Sequence, residues 1–394
     1  MFAADPHNVV RLILPRHADT ADSDVYDDAA RTLREWQDER ILIPDPEPSL
    51  YVYEQAVRGG AAVVQRGLIG ALRLSPPEAD VVRPHEDVAP GPVAGRLQLM
   101  EATQANLEPI FLLHGGSTRG ASARLVDDTA DDTADHGPPL ADTVTSDGIR
   151  HRLWAIDDPA ELAAIAADLA PRDALIADGH HRYAAYLKLQ ARRRAAGDGP
   201  GPWDYGLALL VNASAYPPDI GAIHRVIPGL APATAAELAK AAFTVRKLPG
   251  GTRELATALD ELADAGSGGP AFLVAGSGDV RLLTDPDPLQ LDAAMPAGHS
   301  PLWRGLSAAV LQELLMARVW GISDGPQDVR IVHNDAVAAV AAADETGGTA
   351  VICPSMSTRD VYALAAQGER VPRKSTSFGP KPRTGLVIRT FAQG

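Results

Sequence analysis

Residues 173–194 read DALIADGHHRYAAYLKLQARRR. The first part, 173–179, is a short apolar run that ends in Asp178-Gly179, and it predicts a buried strand closed by a glycine turn. Strong helix formers follow from Tyr183 to Arg194 and predict a helix. A strand that leads into a helix through one tight turn is typical of α/β proteins, so this stretch decides the fold class that we expect.

The rest of the chain shows similar patterns. Strands are predicted at 9–14, 49–55, 66–72, 110–114, 151–156, 205–211, 271–275, 329–332 and 385–389. Helices are predicted at 25–40, 97–106, 158–168, 235–243, 253–265 and 306–316. This rhythm has no fixed period. It therefore predicts a mixed α/β (α+β) fold rather than a repeat array.

Residues 117–148 differ in composition. Asp127 to Asp135 is acidic and lacks large apolar side chains, so it should not bury enough surface to become ordered. We expect a flexible acidic loop here. The predicted parts are then an N-terminal α/β part (1–116), this loop, a core with the Asp-Gly-His-His-Arg turn (149–228) and a C-terminal α/β part with a basic segment (229–394).

Composition narrows the function. The net charge of -15 over 394 residues disfavours binding to the phosphate backbone of nucleic acids. Cys353 is the single cysteine, which excludes an intrachain disulfide and a cysteine-rich zinc site. No apolar stretch approaches the roughly 18 residues of a membrane span, and the N-terminus lacks a signal-peptide pattern. We expect a cytoplasmic protein without membrane contact.

The turn at 178–182 carries the clearest chemistry. Gly179 permits a tight turn, and the amides that follow it belong to the first turn of a helix, which favours anions. Arg182 adds a planar cation that suits phosphate, while His180 and His181 could donate to phosphate or transfer a proton. The alternative is a structural turn in which Asp178 caps the helix. A zinc or manganese site on these residues is weaker, since adjacent histidines diverge on a helix.

Two further pairs are candidates. His85-Glu86 places a carboxylate beside a histidine, a combination able to deprotonate a hydroxyl or hold Mg²⁺. His224-Arg225 is a second possible contact for an anion. Taken alone, each pair also fits a solvated loop.

A basic segment lies near the C-terminus. Residues 373–383 read RKSTSFGPKPR, which concentrates cations and hydroxyls in an acidic protein. We predict that Lys374, Ser375, Thr376 and Lys381 contact phosphate. The spacing is not that of a P-loop, and an exposed basic tail is the alternative.

Together these residues resemble the bacterial domain-of-unknown-function family 1015 (DUF1015). The blocks that carry the resemblance are Tyr51-Val52-Tyr53-Glu54-Gln55, His85-Glu86, Arg96, Asn106-Leu107-Glu108-Pro109-Ile110, Ala177-Asp178-Gly179-His180-His181-Arg182-Tyr183, Ile223-His224-Arg225, and Val371-Pro372-Arg373-Lys374-Ser375-Thr376 through Lys381-Pro382. They occur in the family's order. Members usually begin with a Pro-Pro-Tyr-Asp-Val-like segment that this sequence does not show, so either the start lies upstream or one pocket wall is absent.

The Asp-Gly-His-His-Arg turn also resembles the nucleotide-phosphate loop of the ParB/sulfiredoxin superfamily. That superfamily includes nucleotide-dependent free-serine kinases, CTP-hydrolysing partition proteins and sulfinic-acid reductases. The reductases need a catalytic cysteine in this loop, and position 180 is His, so that branch is excluded. The resemblance implies a ParB/sulfiredoxin-like core that binds a nucleotide.

These observations favour a nucleotide-dependent phosphotransferase that acts on a small hydroxylated metabolite. Residues 178–182 would hold the phosphates of ATP or ADP with Mg²⁺, and Glu86 would be the base, supported by His85. Arg225, Lys374 and Lys381 would neutralise charge on the transferring group. A nucleotide-binding switch without turnover and a phosphatase are the alternatives. The acceptor, the nucleotide base, the metal ligands and the formation of a homodimer are left open.

Overall fold

The chain divides into two compact units. The computed structural model describes residues 5–15, 24–57, 62–131, 137–323, 325 and 327–391. Unit 1 comprises Met1–Pro218 and Pro380–Gly394, and unit 2 comprises Asp219–Gly379. Both units combine helices with β-sheet, so the predicted mixed α/β class is confirmed. Among the described residues, no helix has the length and apolar character needed to cross a membrane.

Unit 1 is built on a mixed sheet. Its strands are β1 (Leu50–Val57), β2 (Val63–Arg73), β3 (Val82–Arg83), β4 (Ala105–Asn106), β5 (Ile110–His114), β6 (Ala141–Val144), β7 (Ile149–Ile156), β8 (Ala174–Asp178) and β9 (Tyr205–Asn212). Within the described residues, eight of them form one sheet in the order β3-β8-β5-β9-β2-β1-β7-β6. β3 runs parallel to β8 and β5 runs parallel to β9, whereas the other neighbours are antiparallel.

The helices of unit 1 connect these strands. They are α1 (Val10–Ile13), α2 (Val25–Asp38), α3 (Pro90–Thr103), α4 (Ala121–Asp131), α5 (Pro159–Leu169) and α6 (His180–Ala195), with short 3₁₀ turns at Pro77–Ala79 and Pro202–Asp204. Local chemistry explains where α5 begins. The carboxylate of Asp158 accepts the amides of Ala160 and Glu161 at 2.9 Å, and Pro159 takes the first helical position.

Unit 2 contains an antiparallel sheet. Its strands are β10 (Asp219–Gly221), β11 (Ile223–Ile227), β12 (Thr244–Lys247), β13 (Phe272–Gly276), β14 (Asp279–Thr284), β15 (Arg330–His333), β16 (Thr349–Ile352) and β17 (Ser377–Gly379). In its described part, six strands follow the order β12-β14-β13-β16-β11-β15, and β10 pairs with β17. The last strand, β18 (Arg389–Thr390), belongs to unit 1 and pairs with β4.

The helices of unit 2 cover this sheet with apolar side chains. They are α7 (Pro232–Ala239), α8 (Leu255–Gly268), α9 (Pro288–Ala294), α10 (Pro301–Arg304), α11 (Ser307–Ala309), α12 (Ala336–Thr346) and α13 (Thr358–Ala366), with a 3₁₀ turn at Gly251–Glu254. α11 continues directly into a π-helix, Val310–Trp320. Leu314, Leu315 and Met316 of the π-helix are fully buried in the core that also contains Phe272 of β13.

Two predicted strands are wrong. Residues 10–13 form α1, because the apolar side chain of Leu12 packs among Ala29, Leu33 and Trp36 of α2 rather than in a sheet. Of the predicted strand 385–389, only Arg389 pairs with another strand, at Asn106. Short apolar runs do not distinguish a strand from a helical turn, which explains the first error.

The predicted four-part division also needs correction. β7 pairs with β1 and β9 pairs with β2, so residues 149–212 complete the same sheet as residues 50–114. The predicted boundaries at 116 and 148 therefore fall inside unit 1. Strand pairing between distant segments, which no local composition reveals, joins them.

The acidic segment is largely ordered. Residues 121–131 form α4, whose Leu125, Val126 and Ala130 are buried, and 141–144 form β6. Residues 132–136 of the predicted loop lie outside the described residues. The flexible-loop prediction is thus wrong for α4 and β6, because Asp127 and Asp131 bind an arginine of β2 and become part of the fold.

That arginine, Arg66, belongs to a buried ionic network. The carboxylate of Glu54 in β1 is fully buried and accepts from Arg66 Nε at 2.7 Å and from Arg152 Nε at 2.8 Å. Arg66 also reaches Asp127 at 3.1 Å and Asp131 at 2.5 Å. Each buried charge is therefore balanced by an opposite one, and the network connects β1, β2 and β7 to α4.

Replacing Glu54 should test this network. Glu54→Gln removes the carboxylate that faces both arginines, and we expect the free energy of unfolding to fall by about 3 kcal/mol, as for other broken buried pairs. Urea-induced unfolding followed by circular dichroism measures it. The control Arg124→Gln breaks the exposed Arg124–Asp128 pair on α4 and should cost less than about 1 kcal/mol. Equal losses in the two variants would contradict a special role for Glu54.

Candidate functional site

The Asp178-to-Arg182 turn lies where β8 ends and α6 begins. Gly179 precedes the helix with φ of 100°, a conformation that favours glycine. A Cβ atom at this position would lie 3.0 Å from Ile110 Cγ2 and 3.2 Å from Arg182 Nε. The first helical bond runs from Tyr183 N to Gly179 O, so the amides of residues 180–182 precede the helical ladder. The predicted geometry of a strand, a glycine turn and a helix start is present.

The carboxylate of Asp178 binds two cations. Oδ2 accepts from Arg182 Nη2 at 2.6 Å, and Oδ1 accepts from Lys381 Nζ at 2.5 Å. Burial raises the pKa of Asp178, but the charges of Arg182 and Lys381 outweigh burial and hold that pKa below its ordinary value. Asp178 is therefore ionised at neutral pH. Its observed contacts are with cations, so the prediction that Asp178 itself contacts phosphate is not supported.

Lys381 reaches this turn because two strands hold its backbone. Gln55 Nε2 donates to the carbonyl of Lys381 at 3.1 Å, and Gln65 Nε2 donates to the carbonyl of Pro380 at 3.2 Å. The two glutamines lie opposite each other in β1 and β2, and Gln65 also donates to Gln55 Oε1 at 2.9 Å. Both side chains are buried. The sheet thus fixes the backbone that carries the lysine.

Tyr53 extends this support to the next residues. Its hydroxyl accepts from the amide of Arg383 at 3.2 Å and bonds His151 Nδ1 at 2.8 Å. Burial raises the pKa of Tyr53 to about 12, and burial lowers the pKa of His151. Near neutral pH, Tyr53 therefore keeps its proton and donates it to a neutral imidazole. The Tyr-Val-Tyr-Glu-Gln block acts as a scaffold for residues 380–383.

His180 and His181 hold the loop that follows β3. The amide of His85 donates to His180 Nε2 at 3.2 Å, and the amide of Ala89 donates to His181 Nε2 at 3.1 Å. An imidazole nitrogen that accepts an amide cannot at the same time donate to phosphate. We predicted phosphate contacts and proton transfer for both histidines. In the structure, the Nε2 atoms of both histidines instead hold the backbone of residues 85–89 in place.

The loop that contains His85 and Glu86 lies at the same edge of the sheet as the turn at residues 178–182. β3 runs parallel to β8 with Arg83 opposite Leu175, so residues 84–86 leave the sheet at the same edge as residues 178–182. His85 is buried, its Nδ1 donates to the carbonyl of Ile176 at 2.7 Å, and its ring lies 4.5 Å from that of His180. Glu86 is half-buried. His85 is thus held by Ile176 and His180, and Glu86 is the next residue of the same loop.

Arg182 is engaged by protein atoms. Besides Asp178, its guanidinium donates through Nη1 to the carbonyl of Pro109 at 2.5 Å. It joins the end of β8 to the segment before β5. The direct phosphate contact that we predicted for Arg182 is therefore not its observed role, and Lys381 is the more exposed cation of the pair.

The remaining predicted residues lie in unit 2. His224 is 4% exposed and accepts the amide of Cys353 through Nδ1 at 3.3 Å. The pKa of His224 is lowered to about 4, mainly by burial; the charge of Asp335 opposes this shift, and the charge of Arg225 adds to it. At neutral pH His224 is uncharged and hydrogen-bonded to the protein backbone. Its Nδ1 is occupied by this bond, and the phosphate contact predicted for His224 stays a prediction.

Arg225, Lys374 and Ser375 line one cavity of unit 2. Arg225 is buried and donates to the carbonyls of Ile223 and Arg373, whereas the hydroxyl of Ser375 donates to the carbonyl of Pro372 at 2.6 Å. Thr376 is half-buried beside them in sequence. The structure brings three of the predicted residues together, but Lys381 belongs to unit 1.

The described residues were also searched for clusters of side chains that could bind a metal ion. Among the residues that the structure describes, no group of three or more His, Cys, Asp or Glu side chains could hold a metal ion. The zinc or manganese alternative on Asp178, His180 and His181 is not supported.

Sequence reasoning missed the glutamines and Pro109. Gln55 and Gln65 are polar residues within strands of the central sheet, and this was the available signal, because a buried amide needs a defined partner. Nothing in the sequence indicates that the partner is a backbone carbonyl of Pro380 or Lys381. The partner of Arg182 is the backbone carbonyl of Pro109, and no side chain in the sequence marks a backbone group as a partner.

The pKa of His224 predicts a pH dependence. The folded value of about 4 lies below the ordinary value of 6.5, so unfolding takes up a proton between these values. The contribution of His224 to the free energy of unfolding is therefore fully present above pH 6.5. It falls as the pH drops towards 4, by at most about 3 kcal/mol. In His224→Asn the side chain can still accept a hydrogen bond but does not titrate. The free energy of unfolding, measured with urea, should therefore depend less on pH in this variant. His7→Asn, on an exposed side chain, should not. Identical slopes in the two variants would contradict the assignment.

Solved structures similar to this chain share little sequence with it. A free serine kinase variant in complex with ADP is 14% identical, with a TM-score of 0.39 over 79% of this chain and 87% of that chain. SbnI with a C-terminal truncation, from Staphylococcus aureus, is 12% identical, with a TM-score of 0.40 over 82% and 88%. A conserved hypothetical protein from Pyrococcus furiosus is 13% identical, with a TM-score of 0.39 over 83% and 96%. Similarity at this level carries no conclusion about chemistry.

No curated protein matches the chain. The model of one family matches residues 1–308, which is most of the sequence. The match agrees with the blocks identified above, from Tyr51 to Arg225. The chain belongs to the family described as "Protein of unknown function (DUF1015)".

Proposed function

We propose that this protein is a nucleotide-dependent phosphotransferase that acts on a small hydroxylated metabolite, with chemistry most like that of a free-serine kinase. One observation carries the proposal. Asp178 holds Lys381 at the start of α6, beside the loop that contains Glu86. A helix start, a lysine and a nearby carboxylate are the groups that phosphoryl transfer needs: donors for phosphate, a cation and a base.

The nucleotide phosphates would bind at the first turn of α6. The first helical bond of α6 runs from Tyr183 N to Gly179 O, so the positive end of its helix dipole lies at residues 180–182. The amides at such a helix end favour anions. Lys381 is about half exposed and supplies a positive charge next to them. Asp178 keeps the ammonium in place, and a phosphate would share it.

Magnesium fits the donors that are present. Mg²⁺ is usually bound by one or two carboxylates together with substrate phosphates, not by a cage of protein ligands. The ion would be held mainly by the phosphates of the nucleotide, which leaves the Glu86 carboxylate to act as the base. When bound, Mg²⁺ would neutralise charge on the phosphates.

Glu86 would act as the base. The acceptor's hydroxyl oxygen attacks the terminal phosphorus and its proton passes to the Glu86 carboxylate, while the bond from phosphorus to the leaving phosphate oxygen breaks. His180 and His181 support this step from a distance, because they bind the amides of His85 and Ala89 and so fix the loop on which Glu86 lies. Our assignment of Arg225 and Lys374 to charge neutralisation stays a prediction, since both belong to unit 2.

Nucleotides should stabilise the folded protein. Binding to the folded state alone raises the melting temperature by mass action, so ATP or ADP with Mg²⁺ should shift the thermal unfolding curve upward. Lys381→Gln should weaken nucleotide binding about tenfold or more, because it removes a charge-assisted contact to phosphate. The matched control is Lys188→Gln, which changes an exposed lysine on α6. No shift with ATP, ADP, CTP or GTP would end the nucleotide proposal, and equal shifts in both variants would remove Lys381 from it.

Glu86→Gln separates an enzyme from a switch. The amide keeps the shape of the side chain but cannot take a proton, so we expect nucleotide affinity to persist while turnover falls roughly 10²–10⁴-fold. Product analysis with ATP or ADP and a panel of amino acids and sugars measures turnover, and titration calorimetry measures affinity.

Three results would count against this mechanism. An unchanged rate in Glu86→Gln would remove Glu86 as the base. Nucleotide binding without product across the panel would favour a regulatory switch. Release of inorganic phosphate from phosphorylated metabolites, without transfer from a nucleotide, would favour a phosphatase. The control Asp87→Asn, on an exposed neighbour in the same loop, should keep full turnover.

A further inference from the structure

A closed ring of hydrogen bonds links residues 380–383 to the sheet of unit 1. It starts at the backbone amide of Arg383, which donates to the hydroxyl of Tyr53 at 3.2 Å. Tyr53 bonds His151 Nδ1 at 2.8 Å, and His151 Nε2 bonds the hydroxyl of Thr145 at 3.0 Å. Thr145 and the guanidinium of Arg383 both donate to the carboxylate of Asp147. The ring therefore begins and ends on Arg383, with the imidazole of His151 at its centre.

The centre of the ring is buried and its outer part is exposed. Tyr53 lies on β1 and His151 on β7, and each is 1% exposed. Thr145 and Asp147 belong to the turn between β6 and β7. The side chains of Asp147 and Arg383 are about half exposed. Water can therefore replace a lost bond at Asp147 but not one between Tyr53 and His151.

The hydrogens of the ring follow one direction when His151 is neutral. The hydroxyl of Tyr53 already accepts the amide of Arg383, and the described part of the chain offers its own hydrogen no acceptor other than His151 Nδ1. Nε2 then carries the hydrogen of the imidazole and donates to Thr145, which donates in turn to Asp147. We assign this tautomer from the hydrogen-bond network, because it gives every donor an acceptor.

A second proton on His151 is incompatible with this arrangement. A protonated Nδ1 is a donor, and it would face the hydroxyl hydrogen of Tyr53. Tyr53 would then keep a buried hydrogen without an acceptor or lose its bond to the amide of Arg383. Burial lowers the pKa of His151, and the charge of Arg383 adds to this effect while Asp147 opposes it. The neutral imidazole is therefore the form that fits the docked segment.

The neighbours of His151 do not titrate in mildly acidic solution. Asp147 accepts the hydroxyl of Thr145, a bond that holds the pKa of this carboxyl below its ordinary value. The residues opposite His151 in the adjacent strands are Gln55 in β1 and Thr143 in β6, and neither side chain is ionisable. Within this cluster, His151 is thus the group that changes charge between neutral and mildly acidic pH.

Lys381 is coupled to this ring through the backbone. It lies two residues before Arg383, and Pro382 between them has a fixed φ angle. The position of Arg383 therefore limits where Lys381 can lie. Gln55 and Gln65 hold the carbonyls of residues 381 and 380, but their amides do not titrate. The ring at Arg383 is the part of this support that can respond to pH.

We propose that His151 is a positioning residue for Lys381. Its neutral imidazole fastens residues 380–383 to β1 and β7 and so keeps the ammonium of Lys381 at the start of α6. In mildly acidic solution the imidazole takes up a proton, the bond between Tyr53 and the amide of Arg383 is lost, and Lys381 is held less firmly. The consequence for nucleotide binding rests on the function proposed above, whereas the release of the segment does not.

Deuterium exchange of the Arg383 amide tests the release directly. Mass spectrometry with electron-transfer fragmentation resolves this amide, and its protection is corrected for the intrinsic effect of pH on exchange. From about pH 8 to about pH 5, protection should fall about tenfold, because protonation and release are linked. In His151→Asn the side-chain oxygen replaces Nδ1 as acceptor without titrating, so protection should be the same at both pH values. His7→Asn, on an exposed side chain, should behave as the parent does.

His151→Phe separates hydrogen bonding from packing. The phenyl ring has a similar shape but no acceptor for the hydroxyl of Tyr53, so the Arg383 amide should exchange rapidly at both pH values. A residue that only filled space would instead leave protection in His151→Phe at the level of the parent.

The affinity for ADP tests the consequence for the candidate site. In titration calorimetry with ADP and Mg²⁺, the affinity of the parent should fall about threefold or more beyond that of His151→Asn over the same pH range, because a loosened lysine makes a weaker charge-assisted contact. The phosphates of ADP titrate equally in both experiments. The difference between the two proteins therefore isolates the effect of His151.

Four results would overturn the inference. They are protection of the Arg383 amide that does not depend on pH in the parent, a loss of protection that persists in His151→Asn, parental protection in His151→Phe, and an equal pH dependence of ADP affinity in the parent and His151→Asn. Failure of ADP to bind the parent at any pH would count against the nucleotide function instead, and the exchange experiment would then decide the role of His151.

Discussion

The ionised carboxylate of Asp178 is the constraint on which the candidate site of unit 1 depends. It bonds Arg182 at 2.6 Å and Lys381 at 2.5 Å, and these two charges keep its pKa low in spite of burial. Arg182 in turn bonds the carbonyl of Pro109. One side chain thereby joins the end of a strand, the start of a helix and a distant basic segment, because opposite charges around a partly buried carboxylate stabilise it.

The central strands contribute to the same arrangement through polar side chains. Tyr53, Gln55 and Gln65 would each disfavour folding if buried without partners. Their partners are the main-chain groups of residues 380–383, together with His151. On the other face of β1, Glu54 binds two arginines. Alternation along one strand thus separates a scaffold for Lys381 from an ionic network that orders α4.

Histidines illustrate how burial decides chemical roles. Three of the four histidines assigned to the site accept backbone amides: His180 and His181 through Nε2, and His224 through Nδ1. The fourth, His85, bonds a carbonyl. In each of the first three, the accepting ring nitrogen carries no proton, so these histidines fix backbone segments through it.

The sequence by itself determined the mixed α/β class and most local elements, including β8, the turn at Gly179, α6 and the capped start of α5. These features depend on periodicity, helix propensity and capping, which act over a few residues. Only the tertiary structure decided that Lys381 meets Asp178 across 203 residues, that Lys374 lines a cavity of unit 2, and that the acidic segment folds as α4. Such contacts depend on strand pairing and on the pairing of buried charges between distant segments, and no local pattern encodes either.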